Sequence, residues 1–401
     1  MVYIGIDIAK RFHVLSAVDE DGRTVVESFR FANTDAGFKK LLERLRKAGA
    51  NPDCSMAGME ATGHYWVALF DFMGSHGYDA AVINPIQTDA FRSAQTVRKT
   101  KTDDVDSVLI AQFARFKGLR PSAMSPEAAD GLKQLTRYRA HLVEERTSLK
   151  NRATALADRL FPELATVLPG GMQSMAFRAV IRDYGEPKVV AATDVRTLER
   201  TLREASRGHL GRAEARAVKE AARHSVGVPY ASGAFAIEAR HVVELVEKLD
   251  EEIGEIEAEC ARVMRETGAD VIQTIPGIGP VNAAVIAAEL GDPNRFDDAK
   301  KVIAFAGIDA SKVQSGAFEG TESHMSKRGS SYLRYALLMA ADAARRSDPY
   351  YGDYYDSLRA RGKHHYVALS GVARKLAGTV LAVWKAGRPY ESRPSVQSQG
   401  E

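Results

Sequence analysis

The order of short apolar runs and turn signals at the N-terminus is the pattern that leaves this chain fewest folds. Residues 2–8 form an apolar run carrying Asp7 near its end. Residues 14–18 form a second after a polar break, and residues 23–31 a third after the turn signal Asp19-Glu-Asp-Gly22. Three strands so spaced make a meander. Asn33 or Thr34 can cap a helix whose apolar face is Phe38, Leu41, Leu42 and Leu45, and Lys47-Ala-Gly49 ends it. Residues 54–59 then read as a strand carrying Glu60 at its end, 65–73 as a helix, and 79–83 as a strand ending at Asn84-Pro85. A further helix runs through Val108, Leu109, Ala111, Gln112 and Phe113.

The order βββαβαβα is that of an RNase H-like domain, an α/β fold whose central strand and its neighbour end side by side. Asp7 and Glu60 stand at such ends, and Asp103 and Asp106, three residues apart, share one helical face. Hard oxygen ligands of this kind suit Mg²⁺, with Mn²⁺ as a substitute. Two such ions, roughly 3.5 to 4 Å apart, can activate an attacking oxygen and stabilise a leaving one in phosphoryl transfer. Taken singly, each acid has a plainer reading: Asp7 satisfied by backbone donors, Glu60 a surface carboxylate, Thr102-Asp103 an N-cap and its first-turn acid. Four acids in fitting places, together with the strand order, favour the metal-binding reading. Gly5-Ile-Asp-Ile-Ala9 also resembles the first phosphate loop of the actin and sugar-kinase superfamily. That class would need a second RNase H-like half, whereas the rest of this chain reads as largely helical.

With 401 residues and 45% hydrophobic content the chain has material for two to three domains. Cys54 and Cys260 lack the close spacing of a zinc or redox pair. The start MVYIGID carries no export signal, and apolar stretches such as 281–290 are half a membrane span, so a soluble, cytoplasmic protein without a membrane partner is expected. A net charge of +3 does not announce a nucleic-acid binder, but the distribution is uneven. Arg92, Arg98, Lys99 and Lys101 precede the last two acids, and Lys327, Arg328, Arg334, Arg345, Arg346, Arg359, Arg361 and Lys363 make a second basic region.

Leu132, Leu135, Tyr138, Leu142, Leu149, Leu156 and Leu160 recur at steps of three and four or their multiples, and the seam returns at Val242, Leu245, Leu249, Ile253, Ile256, Cys260 and Val263. Two long helices paired as a coiled-coil-like stalk are expected. Pairing within one subunit and a dimerisation arm fit the pattern equally well. Residues 161–233 read as an insertion at the far end of the stalk, with short charged helices and no assigned chemistry. Ile275-Pro-Gly-Ile-Gly279 before an apolar helix has the form of a helix-hairpin-helix, in which Gly277 and Gly279 would let backbone N–H groups approach a DNA phosphate; a purely structural hairpin is the alternative. Ser315-Gly316 lies in an alternating stretch and would by itself be a turn residue, but His324, Ser326, Lys327, Arg328 and, one turn into the next helix, Arg334 follow it. Cations and amide donors are what a phosphoserine linkage or a scissile phosphate needs.

The motifs YIGIDIAK, MEATGHYW, VINP, KTDDVD, IPGIGPVNA, FAGI, QSG and MSKRG, in this order, resemble the DEDD-type transposases of bacterial insertion sequences, the IS110 family, which includes the Piv-type DNA invertases. The resemblance spans nearly the whole chain. It implies a RuvC-like nuclease domain over 1–122 with the acidic tetrad Asp7, Glu60, Asp103 and Asp106. It also implies a helical stalk over 123–268, a C-terminal transposase domain over 269–390 with Ser315 as nucleophile, and a disordered tail from 391. Double-stranded donor and target DNA, a structured guide RNA from the element, and a dimer or tetramer whose subunits share one composite site are implied by the resemblance only. Ser107 departs from the small apolar residue usual after the last Asp, and 161–233 looks longer than in compact relatives. A hydrolytic junction endonuclease that needs the acids but no serine, and a non-catalytic DNA-binding assembly protein, are the competing functions.

Overall fold

The computed structural model describes residues 1–61, 63–95, 102–122, 126–309, 325–392 and, by backbone alone, 314–315 and 318–319. The chain divides into two compact units, Met1–Met124 and Ser125–Glu401.

In the first unit β1 (Val2–Asp7), β2 (Phe12–Val18) and β3 (Thr24–Ala32) form the meander, followed by α1 (Asp35–Lys47), β4 (Ser55–Glu60), α2 (Val67–Ser75), β5 (Asp79–Ile83), α3 (Pro85–Gln95) and α4 (Asp103–Lys117). Thr34 caps α1 by accepting from the Gly37 N–H at 3.2 Å. The sheet runs β3-β2-β1-β4-β5, antiparallel through the meander and parallel from β1 to β5. One such sheet is present among the described residues, so the two-halved architecture of the actin and sugar-kinase class is not built here.

Alternation along β1 puts Ile4 and Ile6, both without exposure, on one face and Gly5 on the other. Gly5 pairs in register with Gly58 of β4, which leaves two neighbouring strands bare at one level. Helix α4 lies over that trough: a Cβ at Gly5 would sit 2.1 Å from the Ser107 carbonyl oxygen and 2.2 Å from the Ala111 nitrogen. The same helix is tied to β2 by a buried bond of 2.7 Å between the Ser107 and Ser16 hydroxyls. Ser107 therefore has a partner of its own, which a small apolar residue would leave unsatisfied.

The second unit begins with α5 (Glu127–Leu160) and continues with α6 (Leu164–Val167), α7 (Met175–Asp183), α8 (Pro187–Ala192), α9 (Val195–Ala205), α10 (Arg212–Arg223) and α11 (Ser232–Glu266). Helices α5 and α11 pack on each other within one chain, joined by Arg139–Glu257, Arg146–Asp250 and Arg152–Glu238, each at 2.7 Å. The pairs descend along α11 as they ascend α5, so the two helices run antiparallel. The apolar seam is only partly inward. Leu132, Leu142, Leu156, Leu160, Val242, Ile253, Cys260 and Val263 are buried, but Tyr138 and Leu245 are more than half exposed.

Residues 161–233 form a helical subcore on the ends of α5 and α11, centred on Phe161, Phe177, Val180, Leu198 and Val218. Arg178, 5% exposed, anchors it by donating to Asp250 at 2.7 Å. At the other end of the pair, Leu132, Cys260, Val263 and Met264 share one apolar interior with the C-terminal helices. The regions expected as 123–268 and 269–390 are thus continuous through that core.

The remainder is a 3₁₀ segment (Ala269–Thr274), α12 (Pro280–Leu290), α13 (Ala299–Ala306), the short pair β6 (Gln314–Ser315) and β7 (Phe318–Glu319), α14 (Ser331–Ser347), α15 (Pro349–Ala360) and α16 (His365–Ala386). Buried Glu289 of α12 accepts a two-pronged bond from Arg137 of α5, at 2.8 and 3.1 Å. Helix α16 is the one described helix long and apolar enough to cross a membrane, and 61% of its apolar window is buried inside the protein. Its Ala373, Leu376, Ala377 and Val380 pack into the core as those of a central helix do.

Candidate active site

Asp7 ends β1 and Glu60 ends β4, and the parallel register that pairs Ile6 with Met59 sets the two acids at adjacent strand ends. Neighbouring strands lie about 4.8 Å apart, so the carboxylates have a common forecourt. Helix α4 supplies the others. Because Ser107 rests over Gly5, the N-terminal turn of α4 projects toward the end of β1 where Asp7 stands. Thr102 caps that helix, its hydroxyl accepting from the Val105 N–H at 3.4 Å. The plainer reading of Thr102 as a cap is therefore correct, and it coexists with one acid that looks inward. Asp106 is 7% exposed, whereas Asp103 is exposed.

Asp7 lies in the field of the other three acids. Burial raises the Asp7 carboxyl from 3.8 to about 6, and the negative charges of Asp106, Asp103 and Glu60 push it in the same direction. Two side chains of α3 hold members of this set. The fully buried Thr88 hydroxyl shares its one proton between Glu60 Oε2 at 3.0 Å and the Pro85 carbonyl at 2.9 Å, and Arg92 Nη1 donates to Asp106 Oδ1 at 2.5 Å. Nearby, the Ser28 hydroxyl donates to Asp104, which fastens the start of α4 to β3. Arg92 was legible only as part of a basic cluster. The sequence signal for Thr88 is its four-residue spacing to Arg92 on one face of α3.

The donors suit a hard divalent cation in type and in charge, since Asp7 is surrounded by acids that disfavour its ionisation. As the side chains are placed, no three His, Cys, Asp or Glu groups among the described residues stand close enough together to cage an ion. Arg92 occupies Asp106 instead. The fit is thus one of residue type and field, with one oxygen of Asp106 engaged by Arg92. Arg98, Lys99 and Lys101 lie outside the described residues.

In the second unit Ser315 pairs through its backbone with Phe318. The FAGI and MSKRG motifs prove to be two sides of one crossing. A Cβ on Gly329 would sit 1.8 Å from the Phe305 carbonyl oxygen, and one on Gly307 would sit 2.7 Å from the Gly329 nitrogen. Lys327, at φ +52°, turns the chain there and is exposed, as is Arg328. Ser330 caps α14 through the Leu333 N–H, so both cations flank the positive end of a seventeen-residue helix. Arg334 is turned to the backbone, donating to the carbonyls of Ala306 at 3.3 Å and Gly329 at 3.5 Å.

The two hairpin glycines differ. Gly277 has φ +86°, and a Cβ on it would meet the Ala344 nitrogen at 2.3 Å, so packing on α14 accounts for it. Gly279 is the N-cap of α12 and has nothing within 4 Å of its Cβ position.

Residues 4–162 match the model of the IS110 DEDD transposases, a span that holds all four acids. Residues 269–356 match the model of transposases of the IS116/IS110/IS902 family, which holds Gly277, Gly279, Ser315, Lys327, Arg328 and Arg334. A protein of insertion element IS116 from Streptomyces clavuligerus is 27% identical over 397 residues, 98% of this chain and 97% of that protein. A protein of insertion element IS110 from Streptomyces coelicolor is 28% identical over 298 residues, 74% of this chain and 73% of that one. The pilin gene-inverting protein of Moraxella bovis is 22% identical over 398 residues, 98% of each. Two models of one family fall in order on the parts that carry the acids and the serine, and relatives align from end to end: the chain belongs to the IS110 family of transposases and DNA-inverting recombinases, which cut and rejoin DNA.

Proposed function

We propose that Asp7, Glu60, Asp103 and Asp106 form a RuvC-like, Mg²⁺-dependent centre that works with Ser315 to cut and reseal DNA through a phosphoserine. The observation that carries this reading is the placement of Asp7 and Glu60 at adjacent strand ends, with Asp103 and Asp106 of α4 close enough to act on Asp7. A divalent cation bound there would polarise the scissile phosphate and favour an ionised serine oxygen. The Ser315 oxygen then attacks phosphorus, the bond to one deoxyribose oxygen breaks, and that oxygen takes up a proton. The ester keeps the bond energy, so attack by a deoxyribose hydroxyl reseals a strand and returns the proton to serine. Lys327, Arg328 and the N-terminus of α14 suit the phosphate. Arg334, turned to backbone carbonyls, shapes the crossing that presents them. Gly279, open at the N-terminus of α12, suits a second phosphate of the helix-hairpin-helix type. Double-stranded DNA is the substrate.

A structured RNA of the element as guide, an oligomer whose subunits share a site, the stalk as its assembly arm, and action in the bacterial cytoplasm rest on likeness to the IS110 transposases. Asparagine at Asp7, Glu60 or Asp106 should lower Mg²⁺-dependent cleavage at least about a hundredfold while duplex affinity stays within about threefold, measured on labelled duplex. Cleavage that survives all three changes rejects the assignment.

A further inference from the structure

Thr88 and Arg92 stand one turn apart on α3 and share a face. Each grips one acid of the proposed centre, Thr88 at Glu60 and Arg92 at Asp106. The two grips differ in kind. A neutral hydroxyl does not repel a cation approaching the carboxylate it serves. A guanidinium does, because it has five donors, a fixed positive charge and no lone pair to offer. The Arg92–Asp106 pair is shielded, with side-chain exposures of 20% and 11%, so solvent weakens the competition little. Of the other acids that act on it, Glu60 belongs to the same centre, and Asp89 stands 4.0 Å away with its side chain 72% exposed and offers only a weak alternative.

A guanidinium displaced by a cation has one good destination. The cation would bring a phosphodiester to the same carboxylates, and a phosphodiester accepts the planar fork in two-pronged fashion. Arg92 lies in the last turn of α3 and its guanidinium already stands against Asp106, so a phosphate drawn to the acids comes within reach of its fork.

We infer that Arg92 is a resident counter-ion: it holds one oxygen of Asp106 while no metal is bound, yields it as the cation binds, and then turns its fork to the phosphate beside the cation. Thr88, a neutral neighbour of Glu60, offers the cation no such competition. Arg92 is thus a positioning residue whose partner changes with metal occupancy. This rests on the reading of the four acids as a metal centre.

The consequence has an unusual sign. Removing a residue that helps catalysis should tighten metal binding. Full-length protein stripped with chelator is titrated with Mn²⁺ by electron paramagnetic resonance, comparing the parent chain with Arg92→Gln, Arg92→Lys and Asp106→Asn. Arg92→Gln should bind Mn²⁺ at least about fivefold more tightly, the low end of coupling between competing ligands, with Arg92→Lys between it and the parent. In Ca²⁺ the same variant should bind duplex more weakly, its salt slope smaller by about one phosphate, whereas in chelator its affinity should equal that of the parent. Unchanged or weaker Mn²⁺ binding by a folded Arg92→Gln, or a DNA defect equal with and without metal, overturns the inference. Mn²⁺ binding as strong in Asp106→Asn as in the parent overturns the metal centre itself. Thermal melting checks folding, and Arg92→Lys carries the test should the glutamine variant unfold.

Discussion

Asp7 is held where ionisation is unfavourable, and that has a measurable cost in the metal-free protein. Its folded value of about 6 exceeds the 3.8 of an exposed aspartate. Its contribution to stability is therefore complete below about pH 4 and is lost as pH rises through about 6. Asparagine at this position stays neutral throughout. In chelator, Asp7→Asn should be more stable than the parent at pH 7.5 by about 1–2 kcal/mol, a figure reduced for the part-exposed carboxylate. The difference should vanish near pH 4. Saturating Mg²⁺ should reverse the order at pH 7.5 by stabilising the parent alone. Melting curves at the two pH values, with and without Mg²⁺, read all three; a parent more stable than the variant in chelator at pH 7.5 contradicts this account.

At the scale of elements, glycines separate what holds the fold from what is left for DNA. Gly277→Ala places a Cβ at φ +86° against the backbone of α14, and should cost about 2–3 kcal/mol in urea unfolding. Gly279→Ala meets nothing, so stability should hold within about 0.5 kcal/mol. If the hairpin seats a phosphate, duplex affinity should fall roughly tenfold in that variant, because the new methyl would hold the phosphate off the backbone N–H groups and weaken a charge-assisted hydrogen bond. Wild-type affinity in Gly279→Ala would leave the hairpin a purely structural device. The strands were legible because an apolar run ending in an acid, a turn and a capping threonine are local signals: β5 has the expected bounds and Thr34 caps α1 as its position suggests. What contact decides was not. Gly5 resembled part of a phosphate loop, yet its bareness serves the approach of α4. The grip of Arg92 on Asp106 is equally invisible in a chain where it is one cation of several. The seam of the long helices could not reveal that Tyr138 and Leu245 face out while ion pairs join the helices between them.

For the whole molecule, the acids belong to one compact unit and Ser315 to the other; the phosphoserine route proposed above has both act on the same phosphate. The family order of motifs linked them before any contact could. The most direct measurement is mass spectrometry of denatured, nuclease-trimmed protein after incubation with Mg²⁺ and a nicked duplex that traps the intermediate. A nucleotide should be found on the peptide containing Ser315 of the parent chain and be absent from Ser315→Ala, Asp7→Asn and Asp106→Asn. An adduct that persists in Ser315→Ala, or cleaved DNA with free phosphate ends and no adduct in the parent, would contradict the account.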